Sequence, residues 1–161
     1  MQHGSGGIAD ALNLAKEFVN GDKVAVILGD NIFEQDFSKS VAKFEADPAG
    51  GAMVFVKKVL DPQRFGVAEV ADGKIKNIVE KPKEPKSDLA TVGFYIYDTT
   101  VFEKISRLKP SARNELEITD VHNMYIEENA LGYDEVEGYW SDAGTFDSLH
   151  KTAAWVAEKK K

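Results

Sequence analysis

The stretch Val24-Ala25-Val26-Ile27-Leu28-Gly29-Asp30-Asn31 decides the fold. Five apolar residues in a row, two of them valine and one isoleucine, predict a strand covered on both faces, as in a parallel sheet flanked by helices. Such strands present ligand sites at their carboxyl ends. Gly29 lets the backbone turn sharply or approach a ligand, and Asp30 falls where the strand meets solvent, placed to hold a hard divalent cation. The alternative is an ordinary Asx turn at Asp30-Asn31 that closes the strand.

Upstream, Ile8, Ala11, Leu12, Ala15, Phe18 and Val19 recur at helical spacing, and Asn20-Gly21 stops the helix. Downstream, Phe37, Val41 and Phe44 predict a second helix, ended by Asp47-Pro48-Ala49-Gly50-Gly51, and residues 52–56 predict a second buried strand. This helix-strand rhythm is that of an α/β fold. The pattern then changes. Residues 66–70 and 75–79, joined by Asp72-Gly73, predict a hairpin, and residues 92–97 a further strand. A short helix follows at residues 101–108, then one capped by Thr119 with Val121, Met124 and Tyr125 on one face, a strand at 131–136 and a last helix over 147–158.

The 161 residues suffice for one domain with a core, and the 43% apolar content is ordinary for a globular protein. A formal net charge of −7 with scattered lysines argues against a nucleic-acid or anionic-membrane partner. No cysteine is present, which excludes disulfides and thiolate metal sites. No stretch approaches the roughly 20 apolar residues that span a bilayer, and the first residues lack the basic and apolar regions of a signal peptide. A soluble cytoplasmic protein is expected.

Asp30 and Asp142 both follow apolar or aromatic runs and lie near a glycine, so two acids from distant strands would share one Mg2+, leaving its other positions to water and phosphate. Glu80-Lys81-Pro82 sets an acid and a base at a strand end; the ammonium suits a phosphate and the carboxylate a sugar hydroxyl, although a solvated pair would look the same. Arg113 reads either as an anion ligand or as a surface residue. Gly4-Ser5-Gly6-Gly7 before a helix suits a phosphate cradle or a flexible start. His3, His122 and His150 have no metal-ligand spacing, and no serine sits in a nucleophile elbow.

Taken in order, Leu28-Gly29-Asp30-Asn31, Phe65-Gly66-Val67, Glu80-Lys81-Pro82, Val92-Gly93-Phe94-Tyr95, the run from Lys109 through Asp120, and Trp140-Ser141-Asp142-Ala143-Gly144-Thr145 resemble the sugar-1-phosphate nucleotidylyltransferases over nearly the whole chain. The likeness is strongest to the branch acting on glucose-1-phosphate. It implies a Rossmann-like mixed sheet flanked by helices, of the nucleotide-diphospho-sugar transferase type. It also implies formation of dTDP-glucose or UDP-glucose and pyrophosphate from glucose-1-phosphate and dTTP or UTP. By the same resemblance Asp30 and Asp142 hold the catalytic Mg2+, and Gln2 and Gly7 contact the base. Gly66, Glu80, Lys81, Gly93 and Arg113 bind the sugar and its phosphate, and Tyr95 lines that pocket.

Three departures stand beside the likeness. The Gly-Thr-Arg-Leu segment and the later lysine that grip the triphosphate in this family are not found in the 161 residues. Residues 1–161 are therefore expected to be one domain comprising the central and C-terminal part of the fold, N-terminally truncated, with little turnover alone and with uncovered strand edges that favour a homo-oligomer. A binding module without catalysis, or a subunit completed by a second chain, would share these features. Phe65 also replaces a frequent tyrosine, and Thr91-Val92-Gly93 inverts the usual Val-Thr-Gly order.

Overall fold

The computed structural model describes residues 6–159. In chain order these form α1 (Ile8–Asn13), α2 (Lys16–Val19), β1 (Val24–Ile27), β2 (Asn31–Phe33), α3 (Ser38–Ala46), β3 (Ala52–Lys58), β4 (Gly66–Ala71), β5 (Lys74–Glu80), β6 (Leu89–Tyr97), α4 (Val101–Ser106), α5 (Ile118–Glu127), β7 (Leu131–Glu135), β8 (Trp140–Asp142) and α6 (Phe146–Lys159). The main sheet has six strands, ordered β5-β4-β6-β3-β7 with β1 also on β6. It is mixed: β3 runs parallel to β7 and antiparallel to β6. A separate two-stranded sheet joins β2 to β8.

β3 and β6 read as continuous apolar runs because both of their faces are covered. Ala52, Val54, Val56, Tyr95 and Tyr97 turn to one side with α1, α4 and α5, burying Leu12, Val101, Ile105, Val121 and Tyr125. Met53, Phe55, Val92, Phe94 and Ile96 turn to the other, against Phe44 of α3 and the rings of Phe33, Phe37 and Trp140. The alternation follows from the period of two along a strand. On the second face Phe37 packs 4.8 Å from Phe55 and 4.5 Å from Phe94, centroid to centroid. Each such ring pair adds about 0.5–1.5 kcal/mol beyond its buried area. The β4–β5 hairpin closes through Asp72 and Gly73 at φ 54° and 69°, the two positive values that match the right-handed twist of the flanking strands.

Four expectations change. β1 is not buried on both faces: it pairs antiparallel to β6, Val24 with Tyr97 through Ile27 with Phe94, and alternate residues are exposed, Ile27 by 61%. Among the described residues only β6 pairs with it. The helix over 8–19 breaks into α1 and α2, so Ala11 and Phe18 leave the apolar face and Phe18 is almost wholly exposed. Gly29 takes no left-handed conformation, and a Cβ there would meet nothing within 4 Å. Thr119 does not cap α5, which starts after Glu117 with no side-chain cap. Among the described residues no helix is long and apolar enough to cross a membrane.

One edge of β6 is shared. β4 meets it at Ala90 and β1 from Phe94 onward, with the Leu28 N–H donating to the Gly93 carbonyl at 2.8 Å, so on this edge the ladder is interrupted between Ala90 and Gly93. The crevice that positions the site opens where these two strands part.

Candidate active site

Asp30 stands in the turn that leaves β1, closed by the Asn31 N–H donating to the Leu28 carbonyl at 3.0 Å. Asp142 ends β8. The β2–β8 ladder places Asn31 opposite Asp142, and the Ala143 N–H donates to the Asp30 carbonyl at 2.7 Å. The two carboxylates therefore meet although the chain between them is long. A Cβ built on Gly144 would lie 2.8 Å from Asp142 Oδ1 and 3.2 Å from Asp30 Oδ2, so both oxygens face one small space that glycine keeps open. Among the described residues no three His, Cys, Asp or Glu side chains gather as a metal site. Two carboxylates beside open space suit Mg2+, which keeps several waters and takes one or two acids plus phosphate.

Asn31 is 8% exposed, and both ends of its amide are engaged: Nδ2 donates to Asp30 Oδ1 at 2.8 Å, and Oδ1 accepts from the Gly93 N–H at 2.9 Å and from Trp140 Nε1 at 2.8 Å. This explains Gly93, since a Cβ there would sit 2.7 to 2.8 Å from the Asn31 amide atoms. The Trp140 ring meets Phe65 edge-on at 5.3 Å, and both line the crevice.

Across the crevice, Glu80 Oε2 accepts from Thr119 Oγ1 at 2.6 Å. Gly66 makes room for this contact, because a Cβ would lie 2.6 Å from Thr91 Oγ1 and 3.3 Å from Thr119 Oγ1. Glu80 Oε1 stays 3.9 Å from Lys81 Nζ and 3.5 Å from Arg113 Nη2. Lys81 itself has φ 43°, a left-handed conformation unusual for a side chain of its size. Arg113 is held by Glu117, Nε to Oε1 at 3.0 Å and Nη2 to Oε2 at 2.7 Å, with Glu115 3.1 Å away. The guanidinium lowers the Glu117 pKa, against burial and with help from the Ser111 hydroxyl, and Glu117 in turn raises that of Arg113. Burial pushes the Tyr95 phenol up, and the charges of Glu80 and Asp30 add to it, so both ends of the crevice act on this one side chain.

Asp30, Gly66, Glu80, Lys81, Gly93, Tyr95, Arg113 and Asp142 thus line one cavity of about 190 Å3. Gly7 does not line it. With φ 90° its backbone lies against Leu116, whose carbonyl would be 2.5 Å from a Cβ, so this glycine serves a close backbone approach to the 115–116 loop. Gln2 lies outside the described residues. The lining also includes Asn31, Arg64, Thr91, Glu117 and Thr119, which motif spacing does not single out. Asn31 adjoins Asp30 at the end of an apolar run, and Glu117 lies four residues after Arg113; these are the signals the sequence offers for them.

A family model described as nucleotidyl transferase matches residues 1–159. A glucose-1-phosphate thymidylyltransferase of Neisseria meningitidis is 42% identical over 153 residues, 93% of this chain and 53% of that protein. The low-salt glycan biosynthesis nucleotidyltransferase Agl11 of Haloferax volcanii is 38% identical over 156 residues, 96% of this chain and 43% of that one. The chain thus spans about half the length of the curated relatives it matches. A solved glucose-1-phosphate thymidylyltransferase structure from Bacillus anthracis superposes with TM-score 0.89 at 51% identity, covering 96% of this chain and 62% of that chain. UDP-glucose pyrophosphorylase bound to UDP-glucose shares the fold, with TM-score 0.85 at 23% identity, over 98% of this chain and 64% of the other. With the family model matched almost end to end on an α/β fold of the same kind, this chain belongs to the nucleotidyl transferase family.

Proposed function

We propose that these residues form the sugar-phosphate and cation side of a site that joins glucose-1-phosphate to dTTP or UTP. The observation that carries this reading is the gathering of Asp30 and Asp142 with Glu80, Lys81 and Arg113 around one cavity. An oxygen of the sugar phosphate attacks the α-phosphorus of the triphosphate, the bond to the bridging oxygen breaks, and pyrophosphate leaves with that electron pair. The product is dTDP-glucose or UDP-glucose.

The chain's own groups position and neutralise, which is most of what phosphoryl chemistry asks of a protein. Lys81 and Arg113 balance the charge of the sugar phosphate. Glu80, fixed through one oxygen by Thr119, offers the other to a sugar hydroxyl. Gly66 and Gly93 let the backbone come close to the sugar, and Tyr95 walls that side. Gln2 and Gly7 are assigned to the base. Asp30 and Asp142 would hold Mg2+, which supplies charge neutralisation at the reacting phosphates. With no Gly-Thr-Arg-Leu segment among the 161 residues, ligand binding rather than turnover is expected of them by themselves. We assign the protein to the cytoplasm, and self-association to the open edge of β1.

Calorimetric titration with glucose-1-phosphate, dTDP-glucose and UDP-glucose, each with and without Mg2+, tests the reading alongside a pyrophosphate-release assay. Binding of a nucleotide-sugar strengthened by Mg2+ is expected. Failure to bind any of the three would refute it.

A further inference from the structure

We infer that Asn31 is a positioning residue that ties the cation side of the site to the sugar side, an inference that rests on the function proposed above. Its amide cannot be turned round. The Gly93 N–H and the Trp140 indole N–H are donors only, so both must meet the amide oxygen, and the NH2 group is left to face Asp30. Asp30 Oδ1 is thereby occupied, and Oδ2 is the oxygen left toward Asp142 beside Gly144. One rigid group thus orients a cation-binding carboxylate and holds the Trp140 ring against the cavity.

The surroundings show that the amide is built in. It is 8% exposed, and the glycine at position 93 leaves just enough room for it. An unpaired N–H at Gly93 or Trp140 would carry a desolvation cost, so the amide has no cheap alternative orientation. A cation that draws Asp30 toward Asp142 therefore pulls on Trp140 through two hydrogen bonds. By linkage, a sugar phosphate packed against Trp140 strengthens cation binding by the same factor with which the cation strengthens its own.

The test uses the full chain, Mn2+ for cation affinity, diamagnetic Mg2+ as the added cation for the indole N–H resonances, and glucose-1-phosphate as the sugar phosphate. With only two tryptophans in the sequence, Trp155→Phe assigns the Trp140 signal. In the wild type, cation addition should shift that signal. Asn31→Ala should weaken Mn2+ binding roughly 10- to 100-fold, the usual effect of losing a partner behind a metal ligand, and should abolish the shift while circular dichroism stays native. Gly93→Ala, which removes no polar group but drives a methyl into the amide, should weaken both effects in the same direction and serves if Asn31→Ala does not fold. Wild-type Mn2+ affinity in the variants, or a wild-type Trp140 signal indifferent to bound cation, would overturn the inference alone. A wild-type chain that binds neither Mn2+ nor glucose-1-phosphate would overturn the proposed function and this inference with it.

Discussion

Glu117 grips Arg113 through both carboxylate oxygens, at 3.0 and 2.7 Å, at the lip of the crevice where Glu80 and Glu115 also approach the guanidinium. The fork fixes the plane of the arginine and leaves it surrounded by acids. Glu117→Gln should remove the charge from this grip. Because the Arg113 side chain is 39% exposed, the loss belongs near the lower end of the roughly 1.5–3 kcal/mol typical of hydrogen bonds to charged groups. Denaturant unfolding at neutral pH measures it. The Glu117 pKa is depressed, so its contribution is complete above the ordinary value of 4.5 and fades as pH falls through the lower folded value; the variant should lose that acid-side dependence.

Lys81 combines the charge proposed to meet the sugar phosphate with a left-handed backbone. Lys81→Ala should weaken glucose-1-phosphate binding far more than nucleotide binding, since Lys81 sits beside Glu80 at the sugar side. Lys81→Gly should lose binding equally but be more stable than Lys81→Ala by about 1 kcal/mol, because glycine accepts φ 43° freely. Comparing calorimetry with thermal unfolding for the two variants separates charge from strain; equal stability would show that the conformation costs nothing.

Asp142→Asn removes the charge proposed to bind the cation from a residue whose backbone partner, Asn31, stays in place. Cation affinity should fall by more than the roughly 10- to 100-fold that follows loss of an outer partner, with little change in the unfolding midpoint. Mn2+ titration followed by thermal unfolding checks both halves of this expectation.

His122 is buried between Tyr95 and Tyr97, with Nε2 2.7 Å from the Tyr97 hydroxyl and Nδ1 without a hydrogen-bond partner among the described residues. Burial lowers its pKa from 6.5 to about 3. The unfolded chain takes up a proton that the folded chain refuses, so this residue's contribution is complete above pH 6.5 and falls toward pH 3 by about 1.4 kcal/mol per pH unit. His122→Gln should flatten the slope in that window. Unfolding free energies at pH 7, 6, 5 and 4 measure it, and parallel curves for wild type and variant would exclude this role.

Long apolar runs and turn chemistry make much of the architecture legible in the sequence. β3, β6 and the Asp72-Gly73 hairpin carry strong local signals, since both faces of the strands are filled and the turn demands positive φ. β2 and β8 are not legible in this way, because three-residue strands carry no period; only their mutual register, Asn31 against Asp142, makes them a sheet. The same limit hides Asn31 itself. Its neighbour Asp30 signals an acid at a strand end, but the contacts that give the amide its place come from Gly93 and Trp140, far along the chain. Arg113 is ambiguous in sequence for a related reason: nothing local reveals that Glu80 stands 3.5 Å away.

The β2–β8 pair carries one more implication, for the order of assembly. Asn31 and Trp140 are 109 residues apart, and the tie between them is expected to form late because closing so long a loop precedes any reward from the contact. α6 then fastens the pair: Trp155 stacks on Tyr139 at 4.1 Å, and Lys159 reaches Glu34, whose other oxygen accepts from the Tyr139 N–H at 2.8 Å. During translation, Asp30 leaves the ribosome well before its counterpart has been made. A growing chain that has made its central strands still lacks Asp142, so under the cation role proposed above the ability to bind metal would mark a molecule whose synthesis has passed β8.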